Sequence, residues 1–594
     1  MIPIKAIGLR RLVWQVLIIL LAIVCQPRAS FSLASIAAVR PNVVIIIADD
    51  QGYGDLSVHG NPHVRTPILD RLAADSIRFD RFFVSPLCAP TRASLLTGRY
   101  SLRTGVRGVS QGLETMRAEE VTFAEALRDA GYRTGYFGKW HNGEHYPFTP
   151  QGQGFGEAFG FNLGHWNNYF DTSLKRNARW VPTSGYISDV LTDAAIRFIE
   201  KHKTEPFLCY LAYNVPHSPF QVPDRYFQRH KANGLDDYLA SVYGMVENMD
   251  DNIGRVLDRL DRLKLRGNTI VIFLSDNGPN GERFNAGMRG AKGSLHEGGS
   301  RVPFFLRWPD RFKKPAVVAN VAAHIDLFPT LLELTGVPMP KTLPQDGRSL
   351  VPLLNGQTAD WPDRTLFTQH VVPPNNRRTG AVRTQRYRLV GDGKGWQLFD
   401  MEADPAQSRD ISAAQPDVAR RLADAFAEWW SEVLPDAERP RPPIPVGHGA
   451  EPHVELPVPQ ARFQGGLRFS GKHPNNAWLT GWNDPAALVE WEIDVVRPAR
   501  FEIALQYLRP APGGARVRVA AGGSTVEAIV EQTPHRQVPS PDRVPRTEVY
   551  EMEWSTRVIG RVRLPAGRTT VSVQAVGKPG EPALELKAVT LRIR

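Results

Sequence analysis

The apolar positions of this chain follow two rhythms, and the change of rhythm divides the sequence. Through the first 340 residues, apolar runs at 43–48, 133–137, 207–213, 269–275 and 302–307 alternate with stretches of helical spacing at 66–76, 119–130, 188–202 and 235–264. A run such as Val43-Val44-Ile45-Ile46-Ile47-Ala48 offers no polar face to water, so it belongs in a strand covered on both sides. Such strands separated by helices predict an α/β domain over residues 40–360, a largely parallel sheet between helical layers. Ligands of these sheets collect at the C-terminal ends of the strands.

Beyond residue 360 the rhythm shortens. Residues 382–390 and 397–400 read as antiparallel strands and 416–433 as a helix, a small α+β subdomain spanning 361–434. Residues 435–459 are proline-rich, with Arg439-Pro440-Arg441-Pro442-Pro443 among them, and predict a stiff linker. After it, 489–495, 501–507, 516–520, 570–576 and 584–593 alternate apolar and polar between Gly/Pro turns, the pattern of a β-sandwich over 460–594. Trp478, Trp482, Trp491 and Trp554 are candidates there for stacking on sugar rings. The competing reading is that they fill the core, and carbohydrate binding by this region rests on analogy of shape alone.

Composition narrows the classes. A length of 594 residues exceeds one ordinary core and predicts two or three domains. Hydrophobic content of 42% and charged content of 22% are those of a globular chain. Lys and Arg outnumber Asp and Glu by 72 to 61, a net charge of +11 that suits a polyanionic partner. No nucleic-acid motif accompanies the charge, so a sulfated or otherwise polyanionic substrate is the expectation. Lys5, Arg10 and Arg11 precede the apolar run 12–24, which is short for a membrane span. Residues 1–34 therefore read as a signal peptide, with Ser32-Leu33-Ala34 as a cleavage site and an uncleaved anchor as the alternative. Export to the periplasm or beyond is expected, with no stable membrane span after cleavage. Only Cys88 and Cys209 would then remain, too few for a disulfide framework, and Cys209 is expected to pack in a core strand.

Chemistry-bearing residues stand where the apolar runs stop. The first run ends in Asp49-Asp50-Gln51-Gly52 and the fourth in Asp276-Asn277-Gly278. Either pair alone is an ordinary strand terminator or turn. Two such pairs at the ends of separate parallel strands can converge on one cation, and oxygen ligands select a hard ion, Ca²⁺ or Mg²⁺. The second run leads into Gly138-Lys139-Trp140-His141, where alternation puts Lys139 and His141 on one side of an extended segment. The third leads into Asn214-Val215-Pro216-His217-Ser218-Pro219, whose prolines hold His217 on a rigid loop. Cys88-Ala89-Pro90-Thr91-Arg92 opens a helix: Pro90 suits the first turn, Cys88 falls at the anion-favouring start, and Arg92 lies one turn on. One reading is a reactive group beside an anion receptor. The other is a small buried cysteine at an ordinary helix start.

Together these motifs resemble type I sulfatases, the arylsulfatase-like branch of the alkaline phosphatase superfamily. Cys88-Ala89-Pro90-Thr91-Arg92, continued by Ala93-Ser94-Leu95-Leu96-Thr97-Gly98-Arg99, is similar to the signature in which the cysteine is oxidised to Cα-formylglycine. Lys139, His141, His217 and Lys292, the last in Gly290-Ala291-Lys292-Gly293, also match, and the resemblance runs over 41–410. It implies an alkaline-phosphatase-like mixed sheet sandwiched by helices and a formylglycine-generating maturation enzyme as partner. It implies one Ca²⁺, with Mg²⁺ the second choice, held by Asp49, Asp50, Asp276, Asn277 and the modified Cys88. It implies hydrolysis of sulfate monoesters by the hydrated aldehyde, with Asp276 as base. Arg92, Lys139 and Lys292 would balance charge on the sulfonyl oxygens, and Lys292 or His217 would protonate the leaving alcohol. His141 would take the proton whose loss expels sulfate. A sulfated polysaccharide or oligosaccharide is the expected substrate, with specificity loops at 164–169, Trp180 and 283–289. Two alternatives stand beside this: a phosphodiesterase or phosphonate hydrolase of the same superfamily, and a non-catalytic polysaccharide binder on a relict core. A single apparent metal site disfavours the first, and the presence of every expected catalytic residue disfavours the second.

Overall fold

The computed structural model describes residues 40–359, 361–369, 379–577 and 581–594; the expected signal peptide lies outside them. Among the described residues ten strands form the main sheet, and the five at its centre, Thr269–Ser275, Asn42–Ala48, Phe207–Ala212, Arg133–Lys139 and Glu157–Phe161, run parallel. Every residue of Asn42–Ala48 is buried. Its alternate side chains feed two cores, as a strand with no polar face requires. Val43, Ile45 and Ile47 pack with residues of the helices Cys88–Thr97, Phe123–Asp129 and Leu327–Thr335. Val44, Ile46 and Ala48 pack with residues of Pro67–Ala74, Ile187–Lys201 and Asp237–Arg262. Helix Phe123–Asp129 starts later than its spacing predicts because Thr122 caps it: the Thr122 hydroxyl accepts from the Glu125 N–H, and the Glu125 carboxylate accepts from the Thr122 N–H.

Three expectations change. The run 302–307 is interrupted at Pro303, which has no N–H for a ladder. Arg301–Val302 joins a separate three-stranded sheet, and Phe304–Arg307 lies antiparallel to Thr269–Ser275, which makes the main sheet mixed, as the resemblance implies. The run 382–390 is two strands, Thr379–Arg383 and Tyr387–Asp392, joined by a turn in which the Thr384 N–H meets the Tyr387 carbonyl. With Leu366–Thr368 and Trp396–Asp400 they form an antiparallel sheet that packs on helix Pro416–Glu438. The stretch 435–459, expected as a linker, supplies a strand to each sheet of the sandwich: Ile444–Val446 pairs with Leu488–Val495, and His453–Pro457 with Glu585–Ile593. Both lie at sheet edges, where proline's missing N–H breaks no ladder. Among the described residues each sandwich sheet has six strands, and Trp482 and Trp491 are buried between the sheets. No described helix is long and apolar enough to cross a membrane.

Candidate active site

Strands Asn42–Ala48 and Thr269–Ser275 lie side by side in parallel register, so the polar residues that follow them emerge at one place. The Asp50 N–H donates to Asp276 Oδ1 at 3.1 Å, and Asn277 Nδ2 donates to Asp50 Oδ1 at 2.8 Å. Asp50 adopts φ of 65°, an uncommon backbone for a non-glycine residue that concentrates at functional sites. Asp49, Asp50, Asp276 and Asn277 are all wholly buried.

Helix Cys88–Thr97 points its first residue at this cluster. All ten of its residues are buried, and it stops at Gly98, whose φ of 70° lets its N–H close on the Ser94 carbonyl. The Cys88 sulfur and one carboxylate oxygen each from Asp49 and Asp276 lie within 4.8 Å of one another. Arg92, one turn along, grips Asp276 Oδ2 through Nε at 2.9 Å and Nη2 at 2.7 Å, and its Nη1 donates to the Lys139 carbonyl at 2.7 Å. Cys88 and Cys209 are both free thiols, and Cys209 is buried in its strand as expected.

Four further groups close around the carboxylates. Lys139, the last residue of its strand, reaches Asp49 Oδ2 at 2.6 Å, and Lys292 reaches Asp50 Oδ1 at 2.7 Å. His217 Nδ1 donates to the Ser218 carbonyl at 2.6 Å, and its Nε2 stands 3.8 Å from Asp50 Oδ2. His141, at φ of 62°, meets the Val109 carbonyl through Nε2 at 2.9 Å, while its buried Nδ1 has no hydrogen-bond partner. A Cβ at Gly164 would strike the His141 ring, so glycine is what lets that loop press against the imidazole.

Burial sets the protonation of these groups. It pushes the Cys88 thiol up, against the pull of Lys139 and Lys292, so the sulfur is not held as a thiolate. The anion-favouring helix start is outweighed by desolvation. Burial would raise Asp49 and Asp50 too, but Lys139 on the first and Lys292 on the second hold both carboxyls below their ordinary range. Asp276 goes the other way: burial and then the Asp49 charge push it up to about 7, despite Arg92. Burial, reinforced by Lys139 at His141 and by Lys292 at His217, keeps both imidazoles neutral.

The donor set fits a hard cation. Asp49 Oδ1 and Asn277 Oδ1 are buried acceptors with no hydrogen-bond partner, which a cation would satisfy. Three carboxylates and an amide oxygen meet there, all of the oxygen type that Ca²⁺ and Mg²⁺ select. His217 also comes within reach, one of its nitrogens and an oxygen from each of Asp49 and Asp50 lying within 4.8 Å of one another.

Some neighbours of the cluster leave no trace in the local sequence. The segment 531–553, between sandwich strands Ser524–Val530 and Ser555–Leu564, reaches the loop that carries His217. Glu548 accepts from the Ser218 hydroxyl at 2.9 Å, and Gln221 donates to Ser540 at 2.9 Å and Asp542 at 2.7 Å. Glu548 and Ser218 are 330 positions apart, beyond any motif spacing. Within the expected rim loop 164–169, the Tyr169 hydroxyl lies 2.9 Å from the Ser218 carbonyl and 3.1 Å from that of His217, so it braces the His217 loop. Arg283, expected on the rim, is buried: it pairs with Asp55 at 2.8 Å and donates to the Asp50 carbonyl at 2.7 Å, holding the Asp50 turn.

Residues 41–337 match the family model described as Sulfatase, and 291–428 match N-sulphoglucosamine sulphohydrolase, C-terminal. Arylsulfatase A of Bos taurus is 33% identical over 453 residues, covering 68% of this chain and 86% of that protein. N-acetylgalactosamine-6-O-sulfatase of Bacteroides thetaiotaomicron is 28% identical over 489 residues, covering 65% and 92%. The solved structure of Ps i-CgsB in complex with k-i-k-neocarrahexaose superposes with a TM-score of 0.62 at 28% identity, over 68% of this chain and 95% of that one. Neither family model extends into the sandwich.

Proposed function

The chain belongs to the sulfatase family, type I enzymes of the alkaline phosphatase superfamily, and hydrolyses sulfate esters; we propose that the cluster around Cys88 is its active site and a sulfated carbohydrate its substrate. The observation that carries this reading is the convergence of Cys88, Arg92, Lys139, His141, His217, Lys292 and the Asp49/Asp50/Asp276/Asn277 cluster from six separate segments. The carbohydrate class is supported by the galactosamine sulfatase and the hexaose-bound structure among the similar proteins.

A buried thiol held protonated is a poor nucleophile, which supports conversion of Cys88 to Cα-formylglycine by a maturation enzyme. The hydrated aldehyde supplies an oxygen nucleophile and a second hydroxyl through which sulfate can depart. Asp49, Asp50, Asp276 and Asn277 would hold Ca²⁺, which would supply Lewis acidity to the site. Arg92 fixes the Asp276 carboxylate with two N–H groups and so orients it as a base. Lys139 and Lys292 offer preorganised positive charge to the sulfonyl oxygens. His217 donates Nδ1–H to a carbonyl, so in the neutral imidazole Nε2 is an acceptor and must first take up a proton before it passes one to the leaving oxygen; Lys292 carries its ammonium protons on that side. His141, with its Nε2–H given to the Val109 carbonyl, keeps Nδ1 as the proton acceptor.

Residues 40–360 form the catalytic domain in this reading, 361–434 its C-terminal subdomain and 460–594 an added sandwich, with 1–34 as the signal for export. The test is sulfate release from sulfated mono- and oligosaccharides by protein co-expressed with a formylglycine-generating enzyme, with intact mass measured on the same sample. Activity should track the mass of the aldehyde form, fall on chelation and return with Ca²⁺. An active preparation in which residue 88 is still a thiol would sink the proposal.

A further inference from the structure

A cleft of about 380 Å³ opens between the sandwich and the catalytic domain, lined by Trp166, Trp180 and Trp554, of which Trp166 also packs on the catalytic-domain core. On one wall Trp166 and Trp180 stack with ring centres 5.7 Å apart and planes 21° from parallel. Trp180 is 49% exposed, on the strand Arg179–Pro182 at the edge of the main sheet. On the other wall Trp554 stands edge-on to Trp478, with centres 5.3 Å apart. Trp482 and Trp491, by contrast, are core residues. Trp166 is backed by Phe161, and Lys175 and Lys587 lie over the Trp180 and Trp554 rings at 5.2 and 5.7 Å, so the platform the cleft offers is the exposed part of Trp180 and the Trp554 edge.

The groups around the platforms define the ligand. Asn167, Asn168, Asn476 and Gln506 bring amides, each able to donate and accept, and Glu455 and Glu551 bring carboxylates. A pyranose ring has the matching surface, with apolar C–H faces for the indoles and a rim of hydroxyls for the amides and carboxylates. A second sulfate has no such match. Lys587, the cation that lines the cleft, gives one ammonium N–H to the Asn476 carbonyl at 2.6 Å and lies over the Trp554 ring, and the two carboxylates, Glu455 and Glu551, outnumber it and would repel an anion. The cleft is also close to the chemistry: Asn167 Oδ1 meets His165 Nε2 at 3.1 Å, and the His165 ring centre is 5.9 Å from that of His217. Glu551 joins the walls by accepting from Asn167 Nδ2 and from Trp554 Nε1.

We propose that this cleft is a glycan subsite shared by the two domains, holding unsulfated sugar units adjacent to the sulfated unit in the catalytic cluster. The inference rests on the reading of that cluster as the sulfate-ester site, and the two can fail separately. Sulfate release by the wild type tests the catalytic reading alone. The subsite is tested by calorimetric titration of the full chain with neutral hexasaccharides (agarohexaose, cellohexaose, xylohexaose and desulfated chondroitin hexasaccharide) and with their disaccharides. At least one hexasaccharide should bind, and its disaccharide should bind roughly tenfold or more weakly. Trp180→Ala and Trp554→Ala should each weaken the hexasaccharide by about tenfold or more. Trp180 is exposed, so its variant should melt with the wild type; Asn168→Ala is the second probe of the same wall should Trp554→Ala unfold. Absence of binding across the panel, or binding that survives in Trp180→Ala and Asn168→Ala, would overturn the subsite. A wild type that binds neutral hexasaccharide yet releases no sulfate would overturn the catalytic reading and keep the glycan site.

Discussion

The catalytic domain and the sandwich each bury an arginine completely, and they satisfy it in opposite ways. Arg92 is 1% exposed and Arg509 0%. Arg92 faces titratable groups as well as one backbone carbonyl, that of Lys139: it makes two bonds to Asp276, with Asp49 at 4.0 Å and Lys139 and Lys292 bound to the neighbouring carboxylates. Arg509 faces backbone: it donates to the carbonyls of Gly513 at 2.9 Å, Pro582 at 3.1 Å and Ala583, and its nearest carboxylate, Glu581, is 4.0 Å away. One guanidinium belongs to a network of titratable groups in which Asp276 is pushed up to about 7, and the other staples two loops. Burial of an arginine alone therefore does not mark a site; the titratable partners set the two cases apart.

Four experiments press on that contrast. The largest effect is expected from Cys88→Ala, which should cut sulfate release by at least ~10³-fold, the scale of removing a nucleophile. Its melting temperature should barely move, because the change removes one sulfur atom from the first residue of the helix. Arg92→Met comes next: stripping Asp276 of its partner leaves a buried carboxyl uncompensated, an expected loss of about 3–5 kcal/mol in urea unfolding together with turnover. Arg509→Met should lose about 1–3 kcal/mol, the range for buried carbonyls deprived of a donor, and keep turnover of a small aryl sulfate within about twofold. Equal damage to turnover from both arginine variants would erase the distinction.

The smallest effect concerns the seam between the two regions. Glu144, partly buried, accepts from the sandwich-side Gln460 at 2.7 Å; burial and the neighbouring Glu114 push its carboxyl up to about 8 from an ordinary 4.5. Because the folded value is raised, the stability contributed by the protonated form is complete below pH 4.5 and is lost as pH rises through about 8. Melting temperature should fall by a few degrees between pH 5 and 8.5, on the order of 2–4 °C. The slope should flatten in Glu144→Gln. Parallel curves would assign the slope elsewhere.

Much of the α/β domain was legible because its signals are local. Runs such as 43–48 and 269–275 are too apolar to be anything but covered strands, and the observed strands Asn42–Ala48 and Thr269–Ser275 agree within a residue. Asp49, Asp50, Lys139, His141, His217, Asp276 and Asn277 were legible for the same reason, since they follow the ends of apolar runs, whereas Cys88, Arg92 and Lys292 stood out through the motifs around them. Pro303 and the Thr384 turn were misread as strand interior because neighbouring residues kept the apolar rhythm through the break. The linker reading of 435–459 failed because proline content reports backbone stiffness and says nothing of an edge-strand partner more than a hundred residues away.

The sequence by itself determined the layered domain, the family and the chemical inventory: a cysteine at a helix start, paired carboxylates at strand ends, lysines and histidines on the loops between. Those properties follow from periodicity and short-range spacing, which the chain carries locally. Only the tertiary structure decided the connections between them. It turned Arg283 from a rim residue into a buried prop, brought Glu548 against Ser218 across 330 positions, and opened the tryptophan cleft between two domains. Contacts of that kind arise from how packed surfaces meet, and no window along the chain encodes them.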